Sequence, residues 1–328
     1  MYYNEFKSPA IIKTGNNILG NIDEMLKSAH LYFPNKILVT QDNLFEAYKN
    51  DLSKNVFQKV IFVKGGCIDE APNLIQEIKD TDAIILAFGG GSVLDIVKYS
   101  ASKCDAPYLT VPSTLSNDAV YSCVARLVTN GKKRSYGVQP PTGIIVDLEV
   151  VKKSPKKLIL AGVADLVSNL SALEDWKLGY KYNGETINEL AFMLAKEAAM
   201  PLFQYDENDI FTDEFLFDLT NSIITSGLAM IIGGNTRMTS GAEHLISHAI
   251  DEYFPEKASI HGLQVGWAHL IIEKNYREHT NPMIDDFFKR IGLLRVIDEN
   301  IVWKENDFAS LIPFAMKIRR RFTVFNKL

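Results

Sequence analysis

The chain has 328 residues, 47% of them hydrophobic and 23% charged, the makeup of a folded protein with apolar material enough for a sizeable core and for two domains. A net charge of -5 leaves no broad basic footprint, so a nucleic-acid partner is not expected. The basic run Lys317-Ile318-Arg319-Arg320-Arg321 is too short and isolated to change this, and reads as a solvated or anion-touching segment.

Cys67, Cys104 and Cys123 are scattered without CxxC spacing, which excludes a disulfide framework and a thiolate metal site and suits a reducing, cytoplasmic setting. Met1 to Ala10 carries no apolar core of a signal peptide. No uninterrupted apolar run approaches membrane-spanning length, so a soluble protein without membrane insertion is expected.

Taken in chain order, Lys36–Thr40 reads as a strand and Leu44–Leu52 as a helix. Val60–Val63 is the next strand and Ala71–Lys79 the next helix. Ala83–Phe88 follows as a strand and runs straight into Gly89-Gly90-Gly91. Strands alternating with helices argue for βαβ units and a parallel sheet. Between Pro112 and Val146 the chain is turn-rich, with a hairpin signal at Asn130-Gly131 and a last strand at Gly143–Asp147. After Ser154-Pro155 the pattern becomes long and amphipathic. Glu185–Phe203, Glu214–Ile232, Ala242–Tyr253 and Leu263–Tyr276 all read as helices. Residues 1–154 are therefore expected to form an α/β domain and residues 155–328 an all-helical one.

Two stretches carry chemistry. Gly89-Gly90-Gly91-Ser92, ending a strand and opening a helix, permits close backbone approach and offers unpaired N–H groups to an anion such as a pyrophosphate. Ser92 with Asp95 three residues on reads as the helix cap. The spacing is not G-x-G-x-x-G, and a simple tight strand-to-helix turn is the alternative reading. In the helical half, His244 and His248 are one turn apart on one helix face, and His261 follows a short connection holding Phe254-Pro255. Three of the chain's six histidines thus fall in one segment. They suggest a metal site, against the alternative of a chance pair at helical spacing.

In combination these segments resemble a known family. Gly89-Gly90-Gly91-Ser92-Val93-Leu94-Asp95-Ile96-Val97-Lys98 resembles the G-G-G-x-x-x-D-x-x-K signature of the iron/group III alcohol dehydrogenase and dehydroquinate synthase-like superfamily. Within it, Val111-Pro112-Ser113-Thr114-Leu115-Ser116-Asn117-Asp118 is similar to the V-P-T-x-x-S-x-D-G segment of sn-glycerol-1-phosphate dehydrogenases. Gly162–Asn169 and Asp175–Leu178 are similar to segments of the same family. Arg237–His244 resembles R-P-x-S-G-S-E-H, His261–Gly266 resembles H-G-E-Q-x-G, and Arg321–Leu328 resembles R-Y-T-I-L-x-x-L. The chain departs at Ala119 and Ala164, where the family has Gly, and at Leu263, where it has Glu.

The resemblance implies a Rossmann-like nucleotide domain and a helical metal- and substrate-binding domain of dehydroquinate synthase type. Residues 1–154 would be the first and 155–328 the second. It implies Asp165, His244 and His261 as ligands of a divalent metal, zinc first, with iron or nickel as alternatives. His248 would face the substrate or relay a proton, and Asp118 would contact the substrate. Gly89, Gly90, Gly91, Ser92, Val93, Asp95, Ser113, Ser116 and Ser122 would bind NAD or NADP. Asp42, beside Gln41 and Asn43, is placed to accept a ribose hydroxyl, while His269 reads as structural. Lys98 and Lys132-Lys133-Arg134 are possible phosphate partners. The activity implied is reduction of a small ketone such as dihydroxyacetone phosphate by NAD(P)H, in a homo-oligomer. The alternatives are a glycerol or other polyol dehydrogenase, a dehydroquinate synthase-like lyase, and a non-catalytic nucleotide-binding protein. The lyase is disfavoured because no second Gly-Gly-Lys-Thr segment follows Asp118.

Overall fold

The computed structural model describes residues 9–328; most of the N-terminal stretch read as lacking a signal peptide lies outside the described residues. The chain forms two compact units. One comprises the residues up to Leu115 with Ala119–Ser154, and the other Ser116–Asp118 with Pro155–Leu328.

The strands of the first unit are β1 (Ile11–Gly15), β2 (Asn35–Thr40), β3 (Lys59–Phe62), β4 (Ala83–Gly89), β5 (Tyr108–Pro112), β6 (Val124–Thr129), β7 (Lys132–Gly137) and β8 (Gly143–Asp147). Six of them form a sheet in the order β1-β8-β5-β4-β2-β3, every pairing parallel. Alternating side chains serve opposite faces. Ile37, Val39, Ile85 and Ala87 pack with Leu94 and Val97 on one face, while Leu38, Leu86, Leu109 and Ile145 pack with Leu19, Ile22 and Leu52 on the other. With both faces covered, β4 is buried at all of its positions, which is why it reads as a continuous apolar run. β6 and β7 form a separate antiparallel hairpin. Its turn residues Asn130 and Gly131 both have positive φ, 52° and 74°, as a two-residue turn between right-twisted strands requires.

The expected fold class holds, with two additions. β1 and β5 are sheet strands that the apolar pattern did not mark. β5 has its apolar run broken by Thr110 and ends at Pro112, where the turn-rich region begins. β1 is an edge strand with a single buried residue, Ile11, so it lacks an apolar run.

The second unit is helical. Its longest helix, Asp213–Gly233, has 21 residues and is apolar enough to cross a membrane by length and composition. The reading that no run reaches that length holds only for uninterrupted runs, since Thr220, Asn221, Ser222, Thr225 and Ser226 break this one. The helix serves as packing. Most of its apolar window is buried, it lies along Glu189–Ala199, and Ser226 Oγ accepts from Asn169 Nδ2 at 2.9 Å.

Helices Lys156–Val167 and His261–Asn275 also pack against each other. At their closest approach Gly262 lies on Ala161, where an added Cβ would sit 2.6 Å from the carbonyl carbon, and a Cβ on Gly266 would sit 2.8 Å from that of Ala164. One turn apart, the two glycines make the groove into which the other helix fits. Gly262→Ala is expected to force the helices apart and destabilise the protein by about 1–3 kcal/mol, the usual cost of overpacking. Denaturant unfolding measures this, and an unchanged midpoint would refute the tight-contact account.

Candidate metal and nucleotide sites

The close approach of those helices sets Asp165 beside His261. Asp165 lies near the end of Lys156–Val167, His261 begins the helix it packs against, and His244 stands in the first turn of Ala242–Tyr253. His244 Nε2 is 3.3 Å and His261 Nε2 3.8 Å from Asp165 Oδ1, so the three groups offer ligand atoms all within 4.8 Å of one another. Asp165 Oδ1 is buried and has no hydrogen-bond partner. Such an orphaned carboxylate oxygen facing two ring nitrogens is costly unless a cation joins them.

The opposite ring nitrogens are anchored. His244 Nδ1 lies 3.0 Å from Glu243 Oε1. A carboxylate only accepts, so Nδ1 carries a proton and, in the neutral ring that a metal would bind, Nε2 presents a lone pair. His261 Nδ1 lies 2.9 Å from Ser247 Oγ, which also accepts from Gln264 Nε2 at 2.9 Å. Burial disfavours charge on His244, yet Asp165 and Glu243 outweigh it and hold the imidazole above its usual range. Burial likewise opposes charge on Glu243, but hydrogen bonding to His244 and the backbone holds it ionised. The pocket therefore attracts positive charge. Beside it is a cavity of about 20 Å³, lined by Asp118, Asn117, Asp165 and His244 among others, with room for one ion or one water.

His248 sits one turn beyond His244, its ring 5.6 Å from that of His261 and 6.1 Å from that of His244. Arg319 Nη2 reaches its Nδ1 at 3.3 Å. A guanidinium only donates, so Nδ1 accepts and the neutral ring carries its proton on Nε2. His269 is fully buried and pushed by burial down to about 4. It stands edge-on to Phe288 as part of the helical core.

The start of Ala242–Tyr253 is fixed by charge buried behind it. Asp175, fully buried, accepts from Ala242 N at 2.6 Å, from Val324 N at 3.0 Å and from Arg277 Nη1 at 2.7 Å. A Cβ on Gly241 would lie 2.7 Å from Asp175 Oδ2 and 2.8 Å from Glu243 Oε2. Arg237 binds Glu185 with Nε at 2.6 Å and gives Nη2 to the carbonyls of Asp175 and Phe322. Arg237, Gly241, Ala242 and Glu243 thus all take part in fixing the start of the helix that carries His244.

In the first unit, the helices after β2 and β4 depart to opposite faces of the sheet. Tyr48 and Leu52 of Asp42–Leu52 join one core cluster and Leu94 and Val97 of Gly91–Cys104 the other. The carboxyl ends of these neighbouring strands are the switch point at which open parallel sheets bind ligands. The Gly89 turn and Asp42 both lie there. Gly89 is needed because a Cβ would lie 2.7 Å from that of Val93.

The expected cap is corrected. The helix begins at Gly91, its cap position is Gly90, and no side chain caps it, so Ser92 lies inside the first turn. Asp95 points inward instead, accepting from Lys98 Nζ at 3.3 Å and from Arg126 N at 3.0 Å. Lys98 is fully buried and also reaches Ser122 Oγ at 2.8 Å and Ala119 O at 3.3 Å. Ser122 in turn donates to Val124 O at 3.0 Å. Lys98 is therefore spent, one bond on Asp95 of its own helix and two on the segment leading into β6, and Asp95 and Ser122 are engaged in the same network.

Ser113 N donates to Gly89 O at 2.9 Å, and Ser116 lies in the short segment that clusters with the second unit. Two features at the turn had escaped the sequence reading. The Thr114 hydroxyl is buried without a partner close to Gly90. Gly65-Gly66, both at positive φ, lie against the Ser92 backbone, Gly66 N donating to Ser92 O at 3.1 Å. The glycine pair after β3 was the available signal.

Residues 13–155 match the family model described as iron-containing alcohol dehydrogenase, a class of oxidoreductases. Over 327 residues the chain is 33% identical to the glycerol-1-phosphate dehydrogenase (NAD(P)+) of Archaeoglobus fulgidus, covering 96% of this chain and 92% of that protein. It is also 33% identical to the enzyme of the same name from Pyrococcus horikoshii, covering 83% and 79%. The chain belongs to the glycerol-1-phosphate dehydrogenase family, and it is an NAD(P)-dependent oxidoreductase. Among solved structures, a probable glycerol dehydrogenase from Sinorhizobium meliloti superposes with a TM-score of 0.74 at 17% identity, covering 98% of this chain and 93% of that one. Glycerol dehydrogenase from Schizosaccharomyces pombe gives 0.74 at 18%, covering 99% and 86%. At these identities the likeness concerns the fold.

Removing one partner of a buried, hydrogen-bonded charge pair costs about 3–5 kcal/mol. Asp175→Asn is accordingly expected to lower unfolding stability by that order and to loosen the Ala242 helix start. Calorimetry compares the variant with the parent; a loss under about 1 kcal/mol, the scale of a surface pair, would show that Asp175 is not the anchor described.

Proposed function

We propose that this protein reduces dihydroxyacetone phosphate to sn-glycerol 1-phosphate, NADH or NADPH and a proton being consumed and NAD(P)+ released. The observation that carries the reading is the buried, partnerless Asp165 Oδ1 facing His244 Nε2 and His261 Nε2. Two imidazoles and a carboxylate suit zinc, iron or nickel and leave positions open for substrate oxygen; we assign zinc. When bound, the metal polarises the ketone oxygen and the nicotinamide supplies hydride.

The chain's own residues supply the rest. Glu243 and Ser247 hold the two imidazoles in the tautomer and orientation that present Nε2. His248, its proton on Nε2, donates toward the oxygen that becomes the hydroxyl, while Asp118, on the wall of the small cavity, orients the substrate's own hydroxyl. In the first unit the uncapped N-terminus at Gly91-Ser92-Val93, reached over Gly89-Gly90, receives the cofactor's phosphates, with Ser113 and Thr114 beside it and Asp42 placed for a ribose hydroxyl. The three free cysteines fit a reducing compartment, and we place the protein in the cytoplasm. The names of the curated relatives support the phosphorylated substrate.

Exhaustive chelation is expected to abolish NAD(P)H oxidation with dihydroxyacetone phosphate, and stoichiometric zinc to restore it. His244→Ala should bind no zinc by direct metal analysis. Full activity in protein shown to be metal-free would refute this mechanism.

A further inference from the structure

Positive charge without acidic partners gathers where the C-terminal segment leaves the helix Phe308–Ile318. Arg321 spends its donors on neutral acceptors, Nη1 on Ser240 O and Thr236 O and Nη2 on Thr236 Oγ1. Arg319 has a single hydrogen-bond partner, Nδ1 of His248. Among the described residues no carboxylate lies within salt-bridge distance of either guanidinium, in contrast to Arg237, which holds Glu185. Burial lowers the pKa of both, and Arg321, with Arg319 and Arg237 as added like charges, is brought to about 9. A partly desolvated guanidinium lacking a counter-charge is unfavourable, and a planar fork of donors matches a phosphate dianion. Arg319 and Arg321 also line a cavity of about 350 Å³ together with Asn183, Thr323 and Asn326, and no acidic residue lines it.

The position of this charge gives it a role. The His248 ring lies within 6.1 Å of both the His244 and His261 rings, and Arg319 is bonded to its Nδ1. One imidazole therefore separates the metal-ligating corner from the uncompensated guanidinium. The cation expected from sequence to meet a phosphate, Lys98, is enclosed and spent. We propose that Arg319 receives the phosphate of the substrate and sets the preference for a phosphorylated over a free three-carbon ketone. Arg321 is its support, fixing the segment to the Thr236–Ser240 turn. The proposal rests on the reading of the Asp165 corner as a ketone-reducing site.

The test uses metal-loaded full-length protein and the variants Arg319→Gln, Arg319→Lys and, as a charge control on the exposed helix end, Lys317→Gln. Glutamine removes the charge and shortens the side chain while keeping an N–H donor, and Arg319→Lys restores the charge. Two quantities are read: the ratio of kcat/KM for dihydroxyacetone phosphate to that for dihydroxyacetone, and the affinity for inorganic phosphate by titration calorimetry. Arg319→Gln is expected to lower the ratio about 100-fold, chiefly through KM for the phosphorylated ketone, and to abolish phosphate binding. Arg319→Lys should recover part of both, and Lys317→Gln should match the parent. An unchanged ratio with phosphate still bound overturns the proposal, as does an equal loss on both ketones, which would reduce Arg319 to a support for His248. If Arg319→Gln fails to fold, an unaltered ratio in Arg319→Lys, or inorganic phosphate that does not compete with dihydroxyacetone phosphate in the parent, overturns it equally. A parent protein that reduces neither ketone defeats the ketone-reductase reading, while its phosphate titration still decides Arg319.

Discussion

Gly262 lies against the Ala161 carbonyl with no room for a Cβ, and the spacing of that contact governs the rest of the helical unit. Asp165 is one residue past Ala164, which faces Gly266, and His261 is one residue before Gly262. The two side chains converge because two small surfaces, Gly262/Gly266 and Ala161/Ala164, let the helix backbones approach. A larger residue at either glycine would move Asp165 Oδ1 and His261 Nε2 apart, and metal coordination tolerates only a few tenths of an ångström. The His-Gly-x-x-x-Gly pattern is thus a packing device, its two glycines admitting Ala161 and Ala164. Its Leu263, where relatives by motif carry Glu, is simply buried among the helices.

The placement of His244 depends on buried charge. Asp175 receives N–H groups from the Ala242 helix start and from Val324 while holding Arg277, so one carboxylate ties the His244 helix to the C-terminal segment. Arg237 and Arg321 grip the same turn from other sides. Buried ion pairs add little net stability compared with apolar packing. Here they fix direction: the first turn of the helix can leave Gly241 in only one way. The segment that carries Arg319 is set by the same carboxylate that sets His244.

Much of this was legible in the sequence where one local rule decides the outcome. The run Ala83–Phe88 is a strand because both sheet faces are covered, Asn130-Gly131 is a turn because both residues take positive φ, and His244/His248 share a face because helices repeat every 3.6 residues. The readings that went astray concern side chains whose direction is settled by distant partners. Ser92 and Asp95 have the spacing of a cap, but Asp95 turns inward because Lys98 and the Arg126 N–H, 31 residues away in sequence, offer it better partners. Lys98 is a cation about two turns from the Gly89-Gly90-Gly91 turn, and only its burial against Asp95, Ala119 and Ser122 shows that it is already engaged. β1 and β5 escaped because β1 is an edge strand with one buried residue and Thr110 and Pro112 interrupt the apolar run of β5.

Charge in the helical unit is left unbalanced in two adjoining places and with opposite sign. Around Asp165 and Glu243 carboxylate oxygens outnumber nearby cations, and the excess raises the His244 imidazole above its usual range. Around Arg319 and Arg321 no carboxylate among the described residues comes within salt-bridge distance, and burial depresses both guanidiniums. His248 stands between, receiving a hydrogen bond from the positive side and carrying its own proton toward the other. Left empty, each pole costs stability; joined to each other, the poles would cancel and no site would remain. Keeping them one imidazole apart suits a short ligand whose polarisable oxygen meets a cation at one end and whose dianion meets a guanidinium at the other. On this view the separation of the two charges, more than any single ligand, selects the substrate proposed for this site.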